Sequence, residues 1–384
     1  MGRRELGAMA AMAAWAVVGV GAGCDLPRVG RTGATAEVDA VGGDTEATMG
    51  TPDGDGDAVE VEPCADAGLW RFPGRPEHVV VAADGDAIVA GAYGSGTVVV
   101  RYDSGTCAVV WRAAPGIAVR DLALVGDDVV LIGEGLVRLA ADTGATRSVE
   151  AIVGDVVAGD GDVVWVGRGQ LGTARSSAVV ATGELLHVQG GVTTVVRRDV
   201  VVTDLVARGD AAWAAIGNDV WRFTRTGGER VGTVAGGALS LVRDDDGALF
   251  VTSQAPRLRV ERVGDEPWSY EVGAGETGWI TRAGPDLVLA GNVSLAATPS
   301  ETEALEAQVT AGDAYIVRMA PHMPIVWTVE VVGGDGVQTV TGVGGDAWGR
   351  QWVIGWAERE VVIGEDALEG EGGFVARRPL GSGW

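Results

Sequence analysis

Carboxylates are the groups in this chain best placed to do chemistry, and two stretches gather them. Glu301, Glu303 and Glu306 fall between Asn292 and Gly312, and Glu358, Glu360, Glu365, Asp366, Glu369 and Glu371 crowd the segment before Phe374. Oxygen donors in such number suit a hard cation such as calcium, or a basic protein surface. A solvated acidic insertion fits the same pattern. Catalytic sets are harder to assemble. His78, His187 and His322 lie far apart, and no two share the i, i+4 spacing that puts two imidazoles on one metal. No Gly-x-Ser-x-Gly elbow occurs, and Gly94-Ser95-Gly96 only turns a hairpin. Most other aspartates sit beside glycine in turns, where a short carboxylate bonds its own backbone. The expectation is no catalytic residue, and no cofactor other than calcium.

The N-terminus carries an address. Arg3 and Arg4 precede an apolar stretch from Ala8 to Val20, and small residues Gly21-Ala22-Gly23 lead into Cys24. A basic start, a short apolar run and small residues at a cleavage point make an export signal. The run falls short of the roughly 20 residues a membrane span requires. Its end resembles the lipobox of bacterial lipoproteins, although Gly21 stands where that family prefers Leu. The resemblance implies lipidation of Cys24; ordinary cleavage to a soluble secreted protein is the alternative. Three cysteines occur in all. With Cys24 lipidated, Cys64 and Cys107 remain, either as a disulfide in an oxidising compartment or as two thiols. Residues 24–63, rich in Gly, Asp, Glu and Thr, cannot bury enough apolar surface to offset ordering entropy and read as a flexible acidic tether. The divisions expected are residues 1–23 as signal, 24–63 as tether and 64–384 as one folded domain.

That domain must place whatever loops it carries, and its text repeats. Asp128-Val129-Val130-Leu131-Ile132-Gly133 is an apolar run launched from a tight turn and stopped by glycine. Cognate runs end at Gly91, Gly167, Ala215, Thr252, Gly291 and Gly355, at intervals of 34 to 64 residues. Periods of this size indicate a propeller or an array. Around Gly133 the unit reads as four strands: Ala118 to Val125, Asp128 to Gly133, Leu136 to Ala140 and Ala145 to Ile152. Gly-Asp and Asp-Gly pairs between them supply the positive φ of hairpin turns. Third strands are expected at Val98 to Tyr102, Ser177 to Val180, Val220 to Phe223, Leu258 to Arg262, Tyr315 to Met319 and Phe374 to Arg377. The last copy stops where its fourth strand should begin, while Gly68 to Phe72 is a fourth strand with no first three. Donating it would close a ring and remove exposed edges. The fold expected is all-β, a single seven-bladed β-propeller of four-stranded antiparallel blades, with six or eight blades as alternatives.

Two phrases carry a resemblance. Val137-Arg138-Leu139-Ala140-Ala141-Asp142-Thr143-Gly144 resembles the quinoprotein-like propeller repeat. Asp313-Ala314-Tyr315-Ile316-Val317-Arg318-Met319, followed by Trp327 and Gly333-Gly334-Asp335, resembles the SBBP-type repeat of bacterial propellers. The resemblance covers residues 68 to 384 in short motifs and implies fold more than function. The adjacent cysteines of the quinoprotein dehydrogenases have no counterpart here. A net charge of −24 with no lysine argues against nucleic acid, whose phosphates require a basic footprint. The reading expected is a monomeric, non-enzymatic lipoprotein of the cell envelope, lipid-anchored at the outer membrane or cell surface. It would bind or hold an envelope or extracellular protein, or serve as an envelope-protein assembly factor of the quinoprotein-like type. The rival is a carbohydrate-active lyase or hydrolase using the central channel. A channel lined by Val, Ala and Thr, as the first strands suggest, would favour the scaffold; clustered His, Tyr, Arg or carboxylates would favour the enzyme. Asn292-Val293-Ser294 matches a glycosylation acceptor, discounted for a bacterial export signal.

Overall fold

The structure is a computed structural model that describes residues 68–171, 181–254, 257–273, 277–293, 312–322 and 326–378. All belong to the second of two compact units, Glu60–Trp384. Seven antiparallel sheets follow one another, built on residues 75–113, 119–150, 156–198, 204–233, 237–273, 277–333 and 338–378. In the first five, chain order and sheet order coincide, so each blade is a simple meander. In blade seven, Gln338–Gly345 pairs with Gln351–Ala357, which pairs with Gly372–Arg378. Its outer strand is Gly68–Arg71, registered Gly68↔Arg377 to Arg71↔Phe374. The chain therefore forms a seven-bladed β-propeller closed by its N-terminal strand, as the truncated last repeat predicts.

The apolar runs lack alternation because each second strand is sandwiched between two blades. In blade one, Ile88 packs toward Val129 and Leu131 of blade two, while Val89 packs toward Trp352 and Ile354 of blade seven. One such cluster fills every seam, and burying each Val or Leu contributes about 1.5–3 kcal/mol. The glycine that ends a run answers a close approach. First strands of blades one, two, five and seven each carry a β-bulge, at Glu77, Arg120, Leu239 and Thr341. A Cβ on Gly133 would lie 1.9 Å from the Ala118 carbonyl oxygen, and one on Gly355 would lie 2.2 Å from that of Thr339. Only glycine lets the second strand cross there.

Two expectations need correction. The third strand of blade three is Ala181–Gln189, not Ser177 to Val180, which lies outside the described residues; His187 thus sits on the third strand. The acidic insertion of blade seven is not a loop. Glu360–Ile363 and Asp366–Glu369 form a hairpin turned at Gly364, whose φ is 62°. The hairpin joins the outer edge of blade six through Val332↔Ile363 and Gly333↔Val362, making a six-stranded sheet.

Candidate functional site

The seventh-blade hairpin is anchored from three sides. Val361 and Ile363 are fully buried in the seam between blades six and seven. Arg378 on the third strand of blade seven pairs with Glu330 on the outer strand of blade six and, at 3.0 Å, with Asp366 on the hairpin. Arg71 on the closing strand donates to the carbonyls of Glu369 and Gly370. The expected acidic residues accordingly divide. Asp366 is neutralised by Arg378, and Glu360 and Glu358 accept from the backbone of Asp335 and Val337 at 3.3 and 3.4 Å. Glu365, Glu369 and Glu371 remain exposed to solvent. Glu301, Glu303 and Glu306 lie outside the described residues. Among the described residues no group of three or more His, Cys, Asp or Glu is arranged to hold a metal. Calcium at this sector thus gains no ligand set from the hairpin.

The second region is the central channel, a cavity of about 430 Å³ lined by the first strands of all seven blades. Much of its wall is Val, Leu, Ile and Thr, whereas the first strands suggest Val, Ala and Thr; no alanine among the described residues lines it. One mouth is polar. Glu77 and Arg120, raised on bulges, stand there with His78, Asp121 and Asp204. Arg120 is paired with Asp155 at 2.6 Å. Asp121 accepts from the backbone N–H of Leu122 and, across the seam, from that of Val157 in blade three, each at 2.8 Å. Asp204 repeats the device on Leu205 at 2.7 Å and on Leu241 of blade five at 2.6 Å. Both carboxylates thereby pin one inner strand to the next. Burial nevertheless pushes Asp121 up to about 8 and Asp204 up to about 6. His78 lies 3.7 Å from Asp121, too far for a hydrogen bond, and burial pushes its imidazole down to about 4. The pair is therefore a neutral imidazole facing a carboxyl that binds a proton near neutrality.

Sequence reasoning missed these channel groups because they lie on the first strands of separate blades, far apart in sequence, and only the closed ring gathers them. The bulges that present Glu77 and Arg120 leave no trace in a period-two pattern. Cys24 and Cys64 lie outside the described residues, whereas Cys107 is disulfide-bonded and sits at a positive φ of 55°. Asn292 uses both ends of its amide on Val340 of blade seven, at 2.8 and 2.9 Å, so it serves as a blade pin.

No family model and no curated protein sequence matches the chain. Solved structures do share its shape. A chain of the mitotic checkpoint complex gives a TM-score of 0.53 at 10% identity, over 90% of this chain and 99% of that one. Virginiamycin B lyase from Staphylococcus aureus gives 0.52 at 12% identity, over 82% and 100%. BamB from Moraxella catarrhalis gives 0.42 at 13% identity, over 80% and 84%. Identities this low carry the fold alone, and a propeller hosts unrelated functions.

Proposed function

We propose that the chain is an exported, lipid-anchored binding module without catalytic activity, which holds an envelope or extracellular protein through the sector of blades six and seven. The observation that supports this reading is the hairpin at Glu360–Glu369. Among the described residues it is the one place where a repeat departs from the four-strand plan with a folded addition. It sets Glu365 and Glu369 in solvent on a rigid base, with Glu371 exposed just beyond, where their charge does nothing for the core. A surface of that kind suits a basic partner, whose docking it would steer. Asp121 and Asp204 in the channel are occupied in strand pinning, which is structural work.

The experiment is crosslinking in intact envelopes, with the parent chain and with a triple Glu365→Lys, Glu369→Lys, Glu371→Lys variant. The reading expects one defined crosslinked species, lost in the variant at unchanged melting temperature. Equal crosslinking by both proteins would refute the sector. Palmitate labelling that persists in Cys24→Ser would refute the anchor. A second reading, a carbohydrate-active lyase or hydrolase, draws on His78 and Asp121 facing one another in the channel mouth. It requires turnover that His78→Ala abolishes.

A further inference from the structure

One position is shared by all seven blades. Counted from the turn between first and second strands, the same third-strand site holds Arg101, Arg138, His187, Arg222, Arg262, Arg318 and Arg377. These residues pair respectively with Ile88, Val130, Trp165, Trp213, Phe250, Val288 and Trp352. Six blades carry arginine there, and blade three alone carries histidine. In blade one, the guanidinium of Arg101 bonds Asp86 of its own turn at 2.9 Å. It also crosses to blade two, donating to the Ala141 carbonyl at 2.6 Å. Arg138 and Arg318 likewise meet Asp128 and Asp286, at 3.5 and 2.5 Å. The carboxylate is absent from blade three, where Val163 stands in the register of Asp128 and Asp286, as it is from blades four, five and seven, which carry Ala211, Ala248 and Arg350 there.

An imidazole is shorter than an arginine side chain, and a space remains. It is a pocket of about 120 Å³ lined by His187, Gln189, Val192, Thr194 and Arg225. His187 is 3% exposed and stands edge-on to Trp165 with ring centroids 4.9 Å apart, and its imidazole hydrogen-bonds no other residue among those described. Arg225 comes from the turn after the third strand of blade four. The next blade thus returns a guanidinium to the place from which blade three has lost one. Every polar group of the lining can donate: guanidinium, amide, hydroxyl and imidazole. The two nearby carboxylates do not line the pocket, and Asp162 accepts from the Gln189 amide at 3.1 Å.

We propose that this pocket binds a small tetrahedral oxyanion, phosphate or sulfate, either free or as the terminal group of a larger molecule. The cavity has the size for such a group. A guanidinium fork with neutral donors around it is the arrangement that recognises one. Charge around the imidazole supports the assignment. Burial and the neighbouring Arg225 hold His187 below its ordinary value, while Asp210 and Asp162 oppose them. A bound anion would favour the imidazolium, so binding takes up a proton and tightens as pH falls.

The chain has only three histidines, which makes the test direct. Imidazole C–H resonances of the full chain are followed while sulfate, inorganic phosphate and glycerol 3-phosphate are added separately at pH 6 and pH 8. A saturable shift confined to His187 is expected, with at least about threefold tighter binding at pH 6 of sulfate, whose charge is the same at both pH values. Arg225→Gln, an exposed change that leaves the core alone, should weaken binding about tenfold or more. His187→Arg restores the residue of the other six blades, fills the pocket and should abolish binding while the chain stays folded. Tighter binding of the ester than of the free ion would assign the site to a carried phosphoryl group, and the reverse would assign it to the ion. No shift at His187, or a shift that Arg225→Gln leaves unchanged, would overturn the proposal.

Discussion

Blade two and the pair formed by blades six and seven are written in the same four-strand text, yet they are held in different ways. Blade two is held almost wholly by its apolar seams and by aspartate contacts at its ends. Arg147 reaches Asp128 at 2.6 Å with the guanidinium nearly half exposed, a contact of the kind that contributes little. Blades six and seven carry a hairpin, the closing strand and Arg378 bridging Glu330 and Asp366 with 15% of its side chain exposed. The repeat makes a ring by itself. The additions concentrate where the ring must be closed from two distant parts of the chain.

Substitutions can break or sharpen that contrast. The largest effect is expected at the closing seam, where Trp352 is fully buried and donates to the Gly85 carbonyl at 3.1 Å. Trp352→Ala should cost about 3–5 kcal/mol in equilibrium denaturation; a cost below that of Val130→Ala in blade two would erase the distinction. Next, Cys107→Ser should cost about 2–4 kcal/mol, reproduced by reductant on the parent and absent when reductant is added to the variant.

A pH effect of about 2 kcal/mol should come from a buried carboxyl of blade two, Asp121. Its folded value of about 8 lies above the ordinary 3.8, so the native state keeps a proton that the unfolded chain has shed. The stability this gives is present at pH 4 and lost as pH rises through 8. His78, held at about 4, acts in the opposite sense but only below its ordinary 6.5. Between pH 6.5 and 8 the Asp121 slope therefore stands out, and Asp121→Asn should flatten it. The smallest effects are paired. Arg378→Met should cost about 1–3 kcal/mol, because Glu330 and Asp366 would face each other uncompensated, while Arg147→Met should cost about 0–1 kcal/mol. Equal costs would show that the bridge adds nothing to closure.

Blade number, strand order and the donated closing strand were legible in the sequence because turn pairs recur and apolar runs sandwiched between blades stay apolar. Blade three was misread because a nine-residue second strand displaces the third beyond Val180. The hairpin hid behind its charge. Val361 and Ile363 do alternate, and Gly364-Glu365 is a two-residue turn signal, but the surrounding glutamates favoured a solvated loop. The channel mouth and the pocket at His187 were not legible at all. Each depends on residues from different blades, and only the ring brings those together.

The closing strand also sets an order of events. Arg71 meets Glu369 across 298 positions of chain, whereas the strands of blade two meet within about a dozen. Local meanders can form as the polypeptide emerges, but the circle is completed only when residues 372–378 are available. Bringing such distant segments together carries the loop-closure entropy of nearly the whole domain, which makes it the slow step of folding. A polypeptide halted before residue 372 would hold six near-finished sheets and one raw edge. It would be the species that aggregates or is degraded, and the one that a chaperone must shield.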